Sequence, residues 1–231
     1  MKILTYNIQH GRGTDGSVSL ERIAGVIGHT GADLVAVQEV DRRRWRSGLT
    51  HQARRLGRLL DMRYEFCGTI GWWIFGFYGN AMLSRHPISF RRCHFLPGPG
   101  EPRGLVTAGI RIGDGEAHFL CVHLGLSAEA RRQQIARLLA VAGDLDGPLI
   151  LAGDFNCRPG TPELAPVLRT LTDTSTNPEG DLTFPSINPT ARIDYVFVSP
   201  HWRSLASGTV DTQASDHLPY YAEITPICAR H

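Results

Sequence analysis

Lysine is almost missing from this chain: Lys2 stands alone against 23 arginines among 24 basic residues. With a net charge of only +2, no lysine-rich stripe is available to track a polyanion backbone. The arginine excess matches two causes, phosphate-gripping forks and genome base composition. Cysteine is scarce and unpatterned. The five cysteines include no CxxC pair, which excludes a disulfide framework or a zinc knuckle and fits reduced thiols. No run approaches the roughly 18 apolar residues of a membrane helix. The first ten residues, "MKILTYNIQH", have one positive charge and a very short apolar stretch, unlike a signal peptide. A cytoplasmic protein is therefore expected. No low-complexity linker or composition break divides the chain, so residues 1–231 read as one domain with enough length for a sizeable core.

What is present is an alternation of apolar strands and amphipathic helices. "KILTYNIQ" reads as a strand. Leu20, Ile23, Val26 and Ile27 form a helical stripe, with Ser19 as N-cap and Gly31 as C-cap. "ADLVAVQEV" is a continuous apolar run, as expected of a strand buried on both faces. "HQARRLGRLLD" predicts a second helix with Leu56, Leu59 and Leu60 inward. "NAMLSR", "ISFRRCHFL", "GLVTAGIRI" and "AHFLCVHLG" read as strands separated by Pro and Gly. The longest helix follows, with Ile135, Leu138, Leu139 and Ala142 on one stripe. "PLILAGDFN", "RIDYVFVS" and "LPYYAEITPI" complete the strands. "LTYNIQ" and "ILAGDFN" echo one another, each an apolar strand with an Asn-bearing tip.

The polar residues collect at strand ends: Asn7, Gln38, Glu39, His123, Asp154, Asn156, Asp194, Asp216 and His217. One acid at a strand end is usually a cap or turn former. Several such ends converging on one rim make a site, because ionised carboxylates are costly near a strand interior unless paired or metal-bound. Oxygen donors such as Glu39 and Asp216 suit magnesium or manganese, with Asn7 and Asn156 as neutral helpers. His123 and His217 supply donors where charge develops on a phosphoryl oxygen, and an acid beside a histidine fixes its tautomer. These are the parts of a phosphoester hydrolase. The other histidines read as structural.

"TYNIQ", "VQEVD", "YGNAMLSRHPI", "PRGLV", "VHLG", "GDFN", "TFPS", "RIDYVFVS" and "SDHLPYY" follow one another from residue 5 to residue 221. In that order they resemble the endonuclease/exonuclease/phosphatase superfamily, which includes deoxyribonuclease I-like nucleases, abasic endonucleases and neutral sphingomyelinases. The resemblance implies an α/β fold, a four-layered sandwich of two packed mixed β-sheets flanked by helices. It implies Glu39 as principal metal ligand, supported by Asn7 and Asp216. Asp154 would orient or deprotonate water, Asn156 would hold a phosphate oxygen, Asp194 would pair with His217, and His123 would donate to phosphate. His217 competes with Asp154 as general base. Asn80, Arg103 and Tyr78 would support the site. Some nuclease members carry an acid two residues after the first Asn. Gln9 stands there, so one tightly bound Mg2+ is expected, with Mn2+ as substitute. A degenerate binding or scaffold protein would lack Glu39, Asp154, Asp194 or His217, and all four are present.

Two stretches bear on substrate. "DRRRWRSG", Asp41 to Gly48, is either a phosphate or headgroup grip or a solvated loop. "GWWIFGFY" lacks period-two alternation and is flanked by glycines, which predicts a loop or hairpin tip over core packing. Exposed there, Trp72, Trp73 and Phe75 would meet a membrane surface or stack on bases. Together they favour a lipid or small-molecule phosphodiester, with nucleic acid as the second reading. No pattern bears on oligomeric state.

Overall fold

The computed structural model describes residues 1–72 and 76–227. Trp73, Ile74, Phe75 and the side chain of Trp72 lie outside that description, and with them the expected exposure of the aromatic tip. In chain order the elements are β1 (Lys2–Asn7), α1 (Leu20–Thr30), β2 (Leu34–Arg42), α2 (Gln52–Leu60), β3 (Arg63–Trp72), β4 (Gly76–Ser84), β5 (Ile88–Leu96) and β6 (Arg103–Ile112). They continue with β7 (Gly115–His123), α3 (Ala128–Gly143), β8 (Leu149–Asp154), α4 (Ala165–Leu168), β9 (Thr172–Asp173), β10 (Asp194–Val198), β11 (Trp202–Thr209) and β12 (Tyr220–Pro226).

The strands form two mixed six-stranded sheets, ordered β11-β12-β1-β2-β4-β3 and β5-β6-β7-β8-β10-β9. At each centre lies a parallel pair, β1 with β2 and β7 with β8, joined by a helix. Antiparallel strands flank both pairs. The central strands are apolar on both faces because both faces are covered. Ile3, Leu34 and Ala36 meet Val106, Phe119 and Ile150 between the sheets. On the outer faces, Ile23, Ile27 and Leu56 cover the first sheet, and Ile135, Leu138 and Val141 cover the second. The expected four layers, helix on sheet on sheet on helix, are therefore present.

The helix ends follow the local chemistry. The Ser19 hydroxyl accepts from Arg22 N at 3.3 Å, and Gly31 closes α1 in the left-handed region. The Ser127 hydroxyl accepts from Ala130 N at 3.2 Å to start α3. Two details differ from expectation. Leu59 is exposed, and Gln52, Ala53, Leu56 and Gly57 form the buried side of α2. Leu139 and Ala142 are only partly buried, because Gln134 and Val141 share the inward stripe of α3. Among the described residues, no helix is long and apolar enough to cross a membrane.

Candidate active site

The sheets share a rim formed by the C-terminal ends of β1, β2, β7 and β8 and the N-terminal ends of their antiparallel neighbours. Asn7 ends β1, His123 ends β7 and Asp154 ends β8. His123 and Asp154 are register partners across the parallel pair, and Asp154 faces Asp194 across the antiparallel one. Such close strands require Gly153, since a Cβ there would sit 2.0 Å from the Val122 carbonyl.

Glu39 reaches the rim by a different device. Between Val37 and Val40 the ladder to β4 shifts, so Gln38 and Glu39 together oppose Asn80. This bulge puts Glu39 in the left-handed region at φ 59. Bulges re-aim side chains. Here one turns Glu39 to the rim, while Gln38 stays buried on Thr5 and Cys121.

Asn7 links the two sheets. Its Nδ2 donates to Glu39 Oε1 at 3.2 Å and to Asp154 Oδ2 at 3.1 Å. The backbone N–H of Gln9 holds its Oδ1 at 3.1 Å. Asp154 Oδ2 also faces His123 Nε2 at 3.4 Å and His217 Nε2 at 3.8 Å. Arg103 Nη1 donates to His123 Nδ1 at 3.0 Å, so Nε2 carries the His123 proton toward Asp154. His217 Nδ1 pairs with Asp194 Oδ2 at 2.9 Å, and its ring lies 4.8 Å from that of Phe184, centroid to centroid.

Burial and neighbouring charge set the protonation states. Burial pushes Asp154 up to about 7, the Asp194 carboxylate adding to it. Burial opposes charge on His217 too, but the Asp194 carboxylate outweighs it and raises the ring to about 10. His123 is held well below the usual imidazole range by burial and the Arg103 guanidinium, so it is a neutral donor. Glu39 is pushed up by burial and by Asp216, against the Asn7 hydrogen bond.

The other expected residues also come to this rim. Asp216 is held by Gln9 Nε2 at 2.9 Å and by the Ser215 hydroxyl at 3.2 Å. Gln9, where an acid would add a ligand, orients the Asp216 carboxylate instead. Asn156 donates its side-chain amide to Leu124 O at 2.9 Å, and its N–H holds Asp154 Oδ1 at 2.9 Å. That amide therefore serves the loop, and its backbone, left-handed at φ 50, braces Asp154. Asn80 Nδ2 crosses to Gly104 O at 2.9 Å, and the Tyr78 hydroxyl lies near enough to Glu39 to favour its carboxylate. Sequence reasoning assigned no role to Thr183, whose hydroxyl accepts from Asp194 N at 3.3 Å, or to Ser215 and Phe184. Their signal lay in "TFPS" and in the Ser before "DHLP".

Two donor sets could hold a cation. Asp154, Asp194 and His217 offer atoms within 4.8 Å of one another. There, however, His217 Nδ1 is already bonded to Asp194, and a nitrogen ligand suits zinc better than a hard ion. Glu39, Asp216 and the amide oxygen of Asn7 make an all-oxygen set in which the Asp216 charge disfavours the ionised form of Glu39. That uncompensated charge is what a divalent hard cation offsets.

The family model of the endonuclease/exonuclease/phosphatase family matches residues 4–217. The uncharacterized protein YbhP of Escherichia coli (strain K12) is 30% identical, the match covering 96% of this chain and 95% of that one. A functionally unknown conserved protein from Enterococcus faecalis V583 shares the fold at TM-score 0.84 and 22% identity, over 98% of this chain and 100% of that one. The mannosyl-6-phosphatase Bt3783 of Bacteroides thetaiotaomicron does so at TM-score 0.82 and 19% identity, over 97% and 99%. TDP2 of D. rerio, solved with a single-strand DNA product, does so at 0.73 and 17%, over 97% and 98%. The chain belongs to the endonuclease/exonuclease/phosphatase family, phosphoric ester hydrolases that generally work with a divalent metal.

Proposed function

We propose that this chain is a magnesium-dependent phosphodiesterase for a lipid or small-molecule phosphodiester. One observation carries the reading: Asp154 Oδ2 sits beneath Asn7, His123 and His217 at 3.1, 3.4 and 3.8 Å. A buried carboxylate ringed by donors, with its affinity for a proton raised, is a base for one water molecule.

Asp154 orients that water and takes its proton. His217, kept cationic by Asp194, donates to a phosphoryl oxygen as charge builds there. His123 donates through Nε2 and is held in that tautomer by Arg103. Glu39, Asn7 and Asp216 would hold Mg2+, or Mn2+ in its place, and a cation held there would supply neutralisation of phosphoryl charge. Asn80 and Tyr78 fix the wall on the Glu39 side.

The substrate reading draws on the loop after β2. Arg46 grips the buried Asp41 carboxylate in a fork, both bonds at 2.8 Å, and lies over the Tyr78 ring at 5.1 Å. The loop is thus anchored to the site wall, yet Trp45 is 76% exposed among arginines. An exposed Trp flanked by cations suits an interface of apolar chains and anionic headgroups. The fold does not choose, since neighbours of like fold include a sugar phosphatase and a DNA-processing enzyme.

The test offers mixed phospholipid liposomes and an abasic-site DNA duplex side by side, in magnesium and in EDTA. Phospholipid cleavage that EDTA abolishes is expected. Magnesium-dependent DNA cleavage with lipid untouched would move the site to the nuclease reading. Turnover that survives EDTA would remove the metal assignment.

A further inference from the structure

Away from the rim, the free edges of the two sheets meet where β3 lies against β5. Both strands end their sheets, and their Cα atoms come within 8 Å. Gly104, paired with Phe95, allows this approach: a Cβ there would sit 2.4 Å from the Thr69 methyl. Glu65 on β3 meets Arg91 on β5 at 3.0 Å. Side chains two residues on along each strand share the same face. Those residues are Cys67 and Cys93, which the Glu65–Arg91 pair on one side and the Thr69–Gly104 approach on the other bring side by side, close enough for each thiol to shift the other's protonation. Arg91 Nη1 ties the place together, donating to Phe66 O at 2.9 Å and lying 3.8 Å from Cys93 Sγ. Cys93 is exposed and Cys67 is buried, 3% accessible.

We propose that Cys67 and Cys93 are a redox modification site, which a low-molecular-weight disulfide converts to an intramolecular disulfide joining the two sheets. The exposed Cys93 thiolate attacks one sulfur of the small disulfide. It forms a mixed disulfide and releases one small thiolate. The Cys67 sulfur, losing its proton, then attacks Cys93 Sγ and expels the second small thiolate. The two protons lost by the cysteines end on the two small thiols, and the two electrons lost reduce the small disulfide. The roles follow from the surroundings. The neighbouring Cys67 thiol and the Arg91 guanidinium favour the thiolate of Cys93, whereas Cys67 is pushed the other way. An exposed, thiolate-prone cysteine backed by a buried partner is an attacking thiol with a resolving one. This site is independent of the phosphoester reading, since neither sulfur belongs to the rim.

The test treats the full chain with oxidised glutathione and maps its tryptic peptides without reduction. The expected product joins Tyr64–Arg85 to Cys93–Arg103, with a mass lower by two hydrogens and reversal by dithiothreitol. Oxidised protein then melts several degrees above reduced protein, because the bond constrains the unfolded chain across both sheets. Cys93→Ser abolishes both the cross-link and the shift. Arg91→Gln keeps the thiols and slows cross-linking several-fold. A stable glutathione adduct on Cys93 that Cys67 never resolves would overturn the proposal. So would cross-linking of Cys93 to any other cysteine, or no reaction at Cys93.

Discussion

The two sheets repeat one another strand for strand once the chain is taken as a circle. β11-β12-β1-α1-β2-α2-β3-β4 has the order and pairing of β5-β6-β7-α3-β8-α4-β9-β10. Equivalent strand ends carry different chemistry. Asn7 stands where His123 does, and the bulged Gln38–Glu39 pair where Asp154 does. Asn80 corresponds to Asp194, and the Asp216–His217 pair to Arg103. The first sheet contributes oxygen donors and neutral amides, with Glu39 turned out by a bulge. The second contributes groups whose protonation is shifted by burial, on strands that keep their ladder to the last residue. On the proposed function, the duplicated frame separates two tasks: one half would hold a cation, and the other would handle a proton. His217 crosses between them, emerging before β12 of the first sheet and pairing with Asp194 of the second.

The largest effect expected from that division is at Asp154. Asp154→Asn should cut turnover by about 10³-fold, the scale of lost general-base catalysis, while leaving the magnesium concentration for half-activity unchanged. Stability should move the opposite way. Asp154 titrates at about 7 in the fold, above the roughly 3.9 of an unfolded aspartate. Between those values the folded chain holds more protons, so stability falls as pH rises through that window. The variant lacks this loss. In EDTA its Tm should exceed wild type above about pH 7, and the gap should close toward about pH 4. A variant less stable than wild type throughout would mean that the three donors around Asp154 offset its burial.

Glu39→Gln should show the reverse pattern. Activity at low magnesium should drop about 10–100-fold, and raising the magnesium should recover most of it. Wild-type activity at low magnesium would remove Glu39 from the cation. If Asp154→Asn shifted the magnesium requirement and Glu39→Gln did not, the two halves would have their tasks exchanged. The ion would then belong with Asp154, Asp194 and His217.

Sequence showed this rim well because strand ends need only local chemistry. Apolar runs ending in "YN", "QE", "VH" and "GD" identify themselves. Edge strands were harder. β3 is broken by Gly68 and Gly71 and by a register shift, and β11 has a bulge and mixed burial. Neither keeps the alternation that marks a strand. The echo of "LTYNIQ" with "ILAGDFN" was real but misaligned: topology matches β1 to β7 and β8 to β2. Tip chemistry resembled Asn7 more than strand position did, because equivalent strands carry different residues. Leu59 faced outward for a tertiary reason, since Gln52 holds the N-terminal turn of α2 inward by binding His10 O at 2.6 Å and Asp41 N at 2.9 Å. Asp173 reads as a turn residue by its neighbours, yet it binds Arg192, which is buried over Tyr195 and Tyr220.

The smallest expected effect tests how the first sheet orients its donors. Gln9 Nε2 donates to Asp216 Oδ2 across the site mouth. Its backbone, at φ 43, places its N–H on Asn7 Oδ1. The side chain therefore acts on one oxygen donor, and the backbone on another. Gln9→Ala removes only the first contact. A hydrogen bond to a charged acceptor is worth about 1.5–3 kcal/mol when buried and less at a half-exposed mouth, so a several-fold rise in half-saturating magnesium is expected. Turnover at saturating metal should stay close to wild type, because the groups handling the proton are untouched. Gln9→Glu makes the sharper comparison. It adds a carboxylate beside Asp216, which should tighten magnesium if the added oxygen reaches the ion and weaken turnover if it only repels Asp216. A Gln9→Ala variant that lost turnover at saturating magnesium would place Asp216 among the groups that handle the proton, and the division between the sheets would fail there.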